Sequence, residues 1–396
     1  VIGKWYDCAT LWICQLTLLI ACLAISCDRG AAQQDRAGTT PNTDGSSTVE
    51  PKAVRAPLAG ERVEIPSGRL VVGSRPGTPG RQPNHEPASY AVELGSFEID
   101  RLPYPNDPAR PALTGATHDE AQRMCASSGS RLCTELEWER ACKGPDNSPY
   151  PSGAHFDARC LTHPDRCKTG FDVLAMGVTH REWTASDRGS SNEVLWVARG
   201  STMDAPDESH RCAARTPMPG SASDKNVAFR CCRGAPNAVR VKEPTQGKPY
   251  QKASLSPEHL KALMRSDPIT LPLSEGVQFF REPEAAETVV SRGGGDKKGL
   301  TFSVAPTLWN PSVGVNLLVL VAHAKETSFV LVYNVVAKDE YGLTASFVMK
   351  SEPGPVALAF DDSIRTRLFF STCWGCPGET GKILFREPES AAIVQP

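Results

Sequence analysis

The chain has 396 residues, a formal net charge of −2 and 22% charged residues. That length admits two domains of ordinary size plus tails, and the near-neutral balance without a lysine or arginine run argues against a nucleic-acid partner. Fourteen cysteines are too many for a typical reduced cytosolic protein of this size, and those after residue 100 are even in number, as a set of bridges requires.

From Ala9 to Ser26 the sequence ATLWICQLTLLIACLAIS is almost wholly apolar, follows Lys4 and ends in small residues. A short run of this kind reads as an export signal rather than a spanning helix, with an uncleaved membrane anchor as the alternative. LAISC resembles a bacterial lipobox, which makes residues 1–27 a lipoprotein signal peptide and Cys27 the acylated thiol. Cys22, after LIA, is the competing site, but its use would leave LAIS on the mature end. The expected product is exported and membrane-anchored, facing the periplasm or the cell surface. Residues 28–60 are rich in Gly, Ala, Gln, Thr, Ser, Pro and Asp with no apolar period, and read as a flexible tether.

Residues 61–234 read as the first domain, centred on THDEAQRMCASSGSRLCTELEWERACKG. Thr117 with Glu120, and Thr134 with Glu137, are Thr-x-x-Glu capping boxes that open two helices. Gly129 and Gly144 stand where those helices should stop. Each helix carries a cysteine late on its inner face, Cys125 and Cys142, and Cys212 and Cys231 follow much later. Cys160 and Cys167 enclose only LTHPDR and are placed to pair locally.

RLCTELEWERACKG resembles the arginine-leucine-proline-threonine-glutamate-alanine-glutamate-tryptophan signature of formylglycine-generating enzymes, also called sulfatase-modifying factors. IPSGRLVVGS and FEID before it, and YPSG, REWT, RGS, RCAAR and FRC after it, stand in the family's order between Glu64 and Arg233. The resemblance implies an α+β, C-type-lectin-like fold stapled by disulfides. It also implies pairing of Cys125 with Cys231 and of Cys142 with Cys212. Cys133 replaces the signature's proline and Cys232 adjoins Cys231. Whether those two form a fourth bridge or are kept apart by neighbouring geometry stays open at this point.

In that family a cysteine pair following the glycine-glycine-serine motif binds copper and oxidises a substrate cysteine with oxygen. Here the segment reads RGSTMDAPDESHRCAAR, with Asp204 at the first cysteine's place and no thiol between Met203 and Arg211. A carboxylate cannot replace soft sulfur on Cu(I), so copper is not expected and no catalytic residue is assigned. Asp204, Asp207, Glu208 and His210 form the candidate binding loop, with a solvated acidic loop as the plainer reading. The family also binds calcium near the counterpart of REWT. Glu182 is retained there, but Thr179 and Arg181 replace an asparagine and a tryptophan, so Glu182 fits a core hydrogen-bond acceptor as well as a calcium ligand.

Residues 235–255 read as a second linker, and Ser256 with Pro257 opens a helix presenting Leu260, Leu263 and Met264 on one face. From Leu300 the pattern turns to strands: LTFSV, GVNLLVLVA, SFVLVYNVV, YGLTASFVMK, PVALAF, RLFFS and KILF. Residues 256–396 are therefore expected to form a separate antiparallel β-rich domain, either a sandwich or an open barrel. In CWGC, Cys373 and Cys376 have thiol–disulfide exchange spacing, but they follow a strand and precede Pro377-Gly378. A structural disulfide is favoured there over redox or metal roles.

The expected whole is an exported lipoprotein with a catalytically degenerate domain of this family, used for recognition of an envelope protein or a glycan. The enzyme alternative is an oxygen- and metal-dependent oxidoreductase acting on protein or small thiols. An architectural envelope protein is the third reading.

Overall fold

Through the first part of the chain the order is β1 (Arg62–Ile65), β2 (Gly68–Val72), β3 (Tyr90–Leu94), β4 (Phe97–Asp100), α1 (His118–Ser127), β5 (Arg131–Leu132) and α2 (Glu135–Lys143). It continues with the one-turn α3 (Arg159–Thr162), β6 (Arg181–Asp187), β7 (Leu195–Arg199), β8 (Arg215–Pro219), β9 (Val227–Phe229) and β10 (Cys231–Arg233). The computed structural model describes residues 56–188, 194–242, 247–279, 301–325, 327–350, 357–360, 365–371, 380–386 and 390–394. Cys27, Cys22, most of the tether and the CWGC cysteines Cys373 and Cys376 lie outside the described residues.

Both Thr-x-x-Glu boxes close as hydrogen bonds: Thr117 caps α1 with Glu120, and Thr134 caps α2 with Glu137. Gly144 is the C-cap of α2, and Gly129 follows Ser128 at the end of α1 with φ +66°. The strands around these helices form two four-stranded sheets, β1-β4-β10-β5 and β8-β7-β6-β9, and a β2-β3 ribbon. Every residue of α2 is buried, although five of the nine are charged. Trp138 packs among Ile65, Phe97, Ile99 and Val173, while Trp183 packs with Ala198, Val227 and Phe229 across the neighbouring core.

Four disulfides staple this part: Cys125–Cys231, Cys133–Cys232, Cys142–Cys212 and the local Cys160–Cys167. Adjacent Cys231 and Cys232 serve different partners because successive strand residues point to opposite faces. Cys231 belongs to the core around Trp183 and Cys232 to the core around Trp138, so the two bridges do not compete. Multiple disulfides mark an exported or extracellular protein. No described helix is long and apolar enough to cross a membrane.

The segment expected to be a second linker is docked where it is described. Val239 and Val241 cover Leu70, Val72, Leu94 and Leu136, and Asn237 bonds to Gly95 and Glu137. The reason is physical, because Val239 and Val241 complete an apolar cluster that the β2-β3 ribbon and Leu136 of α2 begin.

The second part contains β11 (Tyr250–Lys252), α4 (Pro257–Arg265), β12 (Thr301–Ser303), β13 (Thr307–Trp309), β14 (Leu317–Ala324) and β15 (Thr327–Ala337). After them come β16 (Glu340–Lys350), β17 (Ala357–Phe360), β18 (Arg367–Ser371), β19 (Thr380–Arg386) and β20 (Ser390–Val394). They form two antiparallel five-stranded sheets, β11-β13-β14-β15-β16 and β12-β17-β18-β19-β20. Val319, Val321, Val330 and Val332 of the first meet Leu358, Leu368, Ile383 and Phe385 of the second, so of the two expected forms this is the sandwich. On the first sheet's other face, Leu260, Leu263 and Met264 of α4 lie against Leu318, Leu320, Phe329 and Leu331. That explains why β14 reads as an unbroken apolar run: both of its faces are buried.

Residues from Arg55 onward form one compact unit. The two parts meet through Ala88, which packs on the sandwich core, and through Asn334, whose Nδ2 donates to the Ser89 carbonyl at 3.2 Å. Arg69 pairs with Glu340, and Arg75 Nη1 donates to the Leu343 carbonyl at 3.0 Å.

Candidate functional site

The segment corresponding to the family's thiol pair leaves β7 through Arg199, Gly200 and Ser201. Glycine is required at Gly200, because a Cβ there would stand 2.4 Å from the Gly177 Cα. Beyond it Met203, Asp204, Asp207 and Glu208 are exposed, whereas His210 is buried. The His210 ring stacks on Phe156 with centroids 4.4 Å apart, and its Nε2 lies 3.3 Å from the Ala205 carbonyl. Burial pushes the His210 imidazole below its ordinary pKa. The fold therefore does not gather the four candidate loop residues into one cluster. Three acids project to solvent and the histidine anchors the loop from beneath.

Arg211 fixes the loop at its far end. Its guanidinium meets both oxygens of Glu86, at 2.5 Å and 2.8 Å, and donates to the Glu208 carbonyl at 2.8 Å. Glu86 also accepts from Ser74 Oγ at 2.7 Å and the Gln82 amide at 3.2 Å, which ties the β2–β3 loop to this segment. A buried guanidinium–carboxylate pair survives desolvation only with such bidentate geometry and further hydrogen bonds.

Buried guanidinium–carboxylate pairs recur at RGS, RCAAR and FRC. Arg199 of RGS meets Glu139 at 2.6 Å, and Arg215 of RCAAR grips Glu135 at 2.7 Å and 3.0 Å. Arg230 of FRC grips Glu182 at 2.5 Å and 2.8 Å. Glu139 also takes Lys143 at 2.8 Å and the Gly73 amide at 2.7 Å. Burial would raise the Glu139 carboxyl, but Lys143, Arg199 and the Gly73 amide outweigh it and hold the group below its usual range. Burial depresses Lys143, against the pull of Glu139. The motifs are thus a skeleton of buried charge pairs. Of these partners the sequence singled out only Glu182; Glu86, Glu135 and Glu139 are missed. The signal that could have found them is the arginines inside two motifs, Arg199 of RGS and Arg211 and Arg215 of RCAAR.

Glu182 has no capacity left for calcium. Besides Arg230, it accepts the Trp138 indole Nε1–H at 2.7 Å and the Gly177 amide at 3.3 Å. A carboxylate surrounded by a guanidinium and two N–H donors does not fit a cation, so the calcium reading at Glu182 is replaced by the core-acceptor reading. Among the described residues no group of three His, Cys, Asp or Glu side chains is placed to hold a metal. The thiols nearest the loop in sequence, Cys212 and its partner Cys142, are buried in a disulfide and are not copper ligands.

Beside the loop lies a cleft of about 620 Å³. Its walls are the Gly73–Pro79 turn, the stretch from Asn147 to His155 with Tyr150, Arg211 with Ala213, and Tyr341–Thr344 of β16. The sandwich part therefore supplies one side of it.

No family model matches the chain. Two curated proteins do. Inactive C-alpha-formylglycine-generating enzyme 2 of Bos taurus is 32% identical over 146 residues, covering 30% of this chain and 48% of that protein. The Mus musculus protein of the same name is 34% identical over 155 residues, covering 32% and 49%. The chain thus spans about half the length of the curated relatives it matches. Among solved structures, PvdO from Pseudomonas aeruginosa matches with a TM-score of 0.38 and 17% identity, over 44% of this chain and 94% of that one. CarF matches with a TM-score of 0.32 and 14% identity, over 46% and 100%. Over roughly a third of its length, then, the chain is a homologue of the formylglycine-generating-enzyme-like proteins, and the curated relatives it matches are ones named inactive.

Proposed function

We propose that the first part of the chain is a formylglycine-generating-enzyme-like domain without the family's oxidase chemistry, kept for binding, and that the loop from Met203 to Arg211 with its adjoining cleft is the binding surface. One observation carries this reading. Where the oxidase needs thiolates the loop presents the exposed carboxylates of Asp204, Asp207 and Glu208, and the nearest thiols are sealed in the Cys142–Cys212 bridge. The charge-pair skeleton beneath remains complete, so the scaffold persists where the redox ligands do not. Cys27 in LAISC supports lipid anchorage at a cell envelope, with the tether holding the domain away from the membrane and an envelope protein or glycan as the ligand.

Two experiments test this. Oxygen uptake by the purified protein, with Cu(I) and a cysteine-containing peptide, should not exceed that of the peptide with copper alone; turnover that needs the protein would refute the binding reading. Metabolic labelling with a fatty-acid analogue should mark the wild type and not Cys27→Ser; a labelled variant would move the anchor to another cysteine.

A further inference from the structure

The cleft holds groups that the charge-pair skeleton leaves unused. Three of its lining charges are compensated: Lys143 by Glu139, Arg211 by Glu86 and Glu340 by Arg69. Arg75 is the exception. It is exposed, donates one N–H to the Leu343 carbonyl, and has no carboxylate partner among the described residues. Facing it is a β-bulge in which Val332 opposes Ala345 while Tyr333 opposes Leu343, leaving Thr344 as the extra residue. Thr344 lines the cleft, and its hydroxyl is buried without a hydrogen-bond partner. Behind this wall Asn334, fully buried opposite Gly342 on the same hairpin, donates through Nδ2 to the carbonyl of Ser89, which lines the cleft. Tyr150 and Tyr341 add ring surface from the two parts of the chain.

We infer that this cleft binds a saccharide carrying a carboxylate, of the uronic-acid class. The inference rests on the binding reading above and narrows it. The unpartnered Thr344 hydroxyl at the cleft wall calls for a ligand that brings hydroxyls of its own. Tyrosine rings suit the C–H faces of a pyranose, each ring offering apolar area with a polar edge. The single uncompensated guanidinium selects one carboxylate, which it can take bidentately. The volume lies within the range of about 300–1,000 Å³ usual for small-ligand sites. Because Thr344 and Tyr341 come from β16, the sandwich is half of the binding site rather than a passive neighbour.

Isothermal titration of the full chain with tetragalacturonate and with neutral cellotetraose tests this. The acidic saccharide should bind several-fold tighter than the neutral one. Arg75→Gln should abolish that preference while sparing the neutral ligand. Thr344→Val should weaken both by about fivefold, the worth of one ordinary hydrogen bond, with circular dichroism and thermal midpoint confirming the fold of each variant. Failure of folded wild type to bind either saccharide would overturn the inference, as would binding indifferent to both substitutions, or binding of a proline-rich peptide in their place. Absent saccharide binding together with absent oxygen uptake would remove only the ligand class; copper-dependent uptake would remove the binding reading itself.

Discussion

Around α2, Arg199, Arg211, Arg215 and Arg230 each meet a buried carboxylate, and three long-range disulfides tie the same elements together. Between the two sheets of the second part the interior is Val, Leu, Ile, Trp and Phe, and the described residues there contain no disulfide. The contrast teaches how each part holds its shape. Hydrocarbon packing tolerates rearrangement if volume is kept, whereas a buried ion pair is stable only in one geometry and becomes a liability when one partner is lost. A domain that presents long loops gains from the second kind of interior, because every pair pins two distant segments together.

The largest expected effect comes from breaking one pair on one side only. Glu139→Gln leaves Lys143 and Arg199 buried beside an amide, and should cost about 3–5 kcal/mol. Hydrogen exchange should show the loss in α2 and β7, with β14 and β15 still protected; equal loss in the sandwich would mean that the two interiors are not independent. Replacing Cys142 and Cys212 together by serine opens a 70-residue loop and should cost about 2–5 kcal/mol, read by urea unfolding. The counterpart in the sandwich is Leu368→Ala, expected to cost about 2–5 kcal/mol, and its cost should not change with pH.

Acid sharpens the comparison further. Burial lowers His118 and His210 below their ordinary value of 6.5, so the unfolded chain takes up protons first and stability falls as pH drops below that value. Glu139, held below 4.5 despite its burial, contributes stability present above that value, which is lost as pH falls through its folded pKa. Amide protection at pH 7, 5.5 and 4 should therefore decline in the first part before it does in β14; a sandwich that opens first would contradict this. The smallest effect is Thr134→Ala, which removes one capping bond and should lower the thermal midpoint by the equivalent of about 1 kcal/mol.

Local signals were legible in the residues themselves, and of the long-range ones only the bridges that the family resemblance implied. The capping boxes follow from a hydroxyl and a carboxylate three residues apart, and the strands of the sandwich from their apolar runs and tight turns. Strands β11, β13 and β20 escaped notice, since short strands such as Tyr250–Lys252 exist only by pairing with a neighbour. Glu86 looked like one more polar loop residue, because nothing near it in sequence announces an arginine 125 residues away. Residues 235–255 lack an apolar period, yet two valines there suffice to cover a ribbon. The loop from Met203 to Arg211 could be read for the thiols it lacks. The cleft beside it could not be read at all, since one wall belongs to β16.

The central claim is that the loop after β7 serves recognition and not oxidation. The most direct measurement is mass spectrometry of a cysteine-containing substrate peptide after aerobic incubation with the full chain and Cu(I). The cysteine should leave without conversion to an aldehyde beyond the copper-only control. Aldehyde formation proportional to the protein added would contradict it and would place a working thiol site elsewhere in the chain.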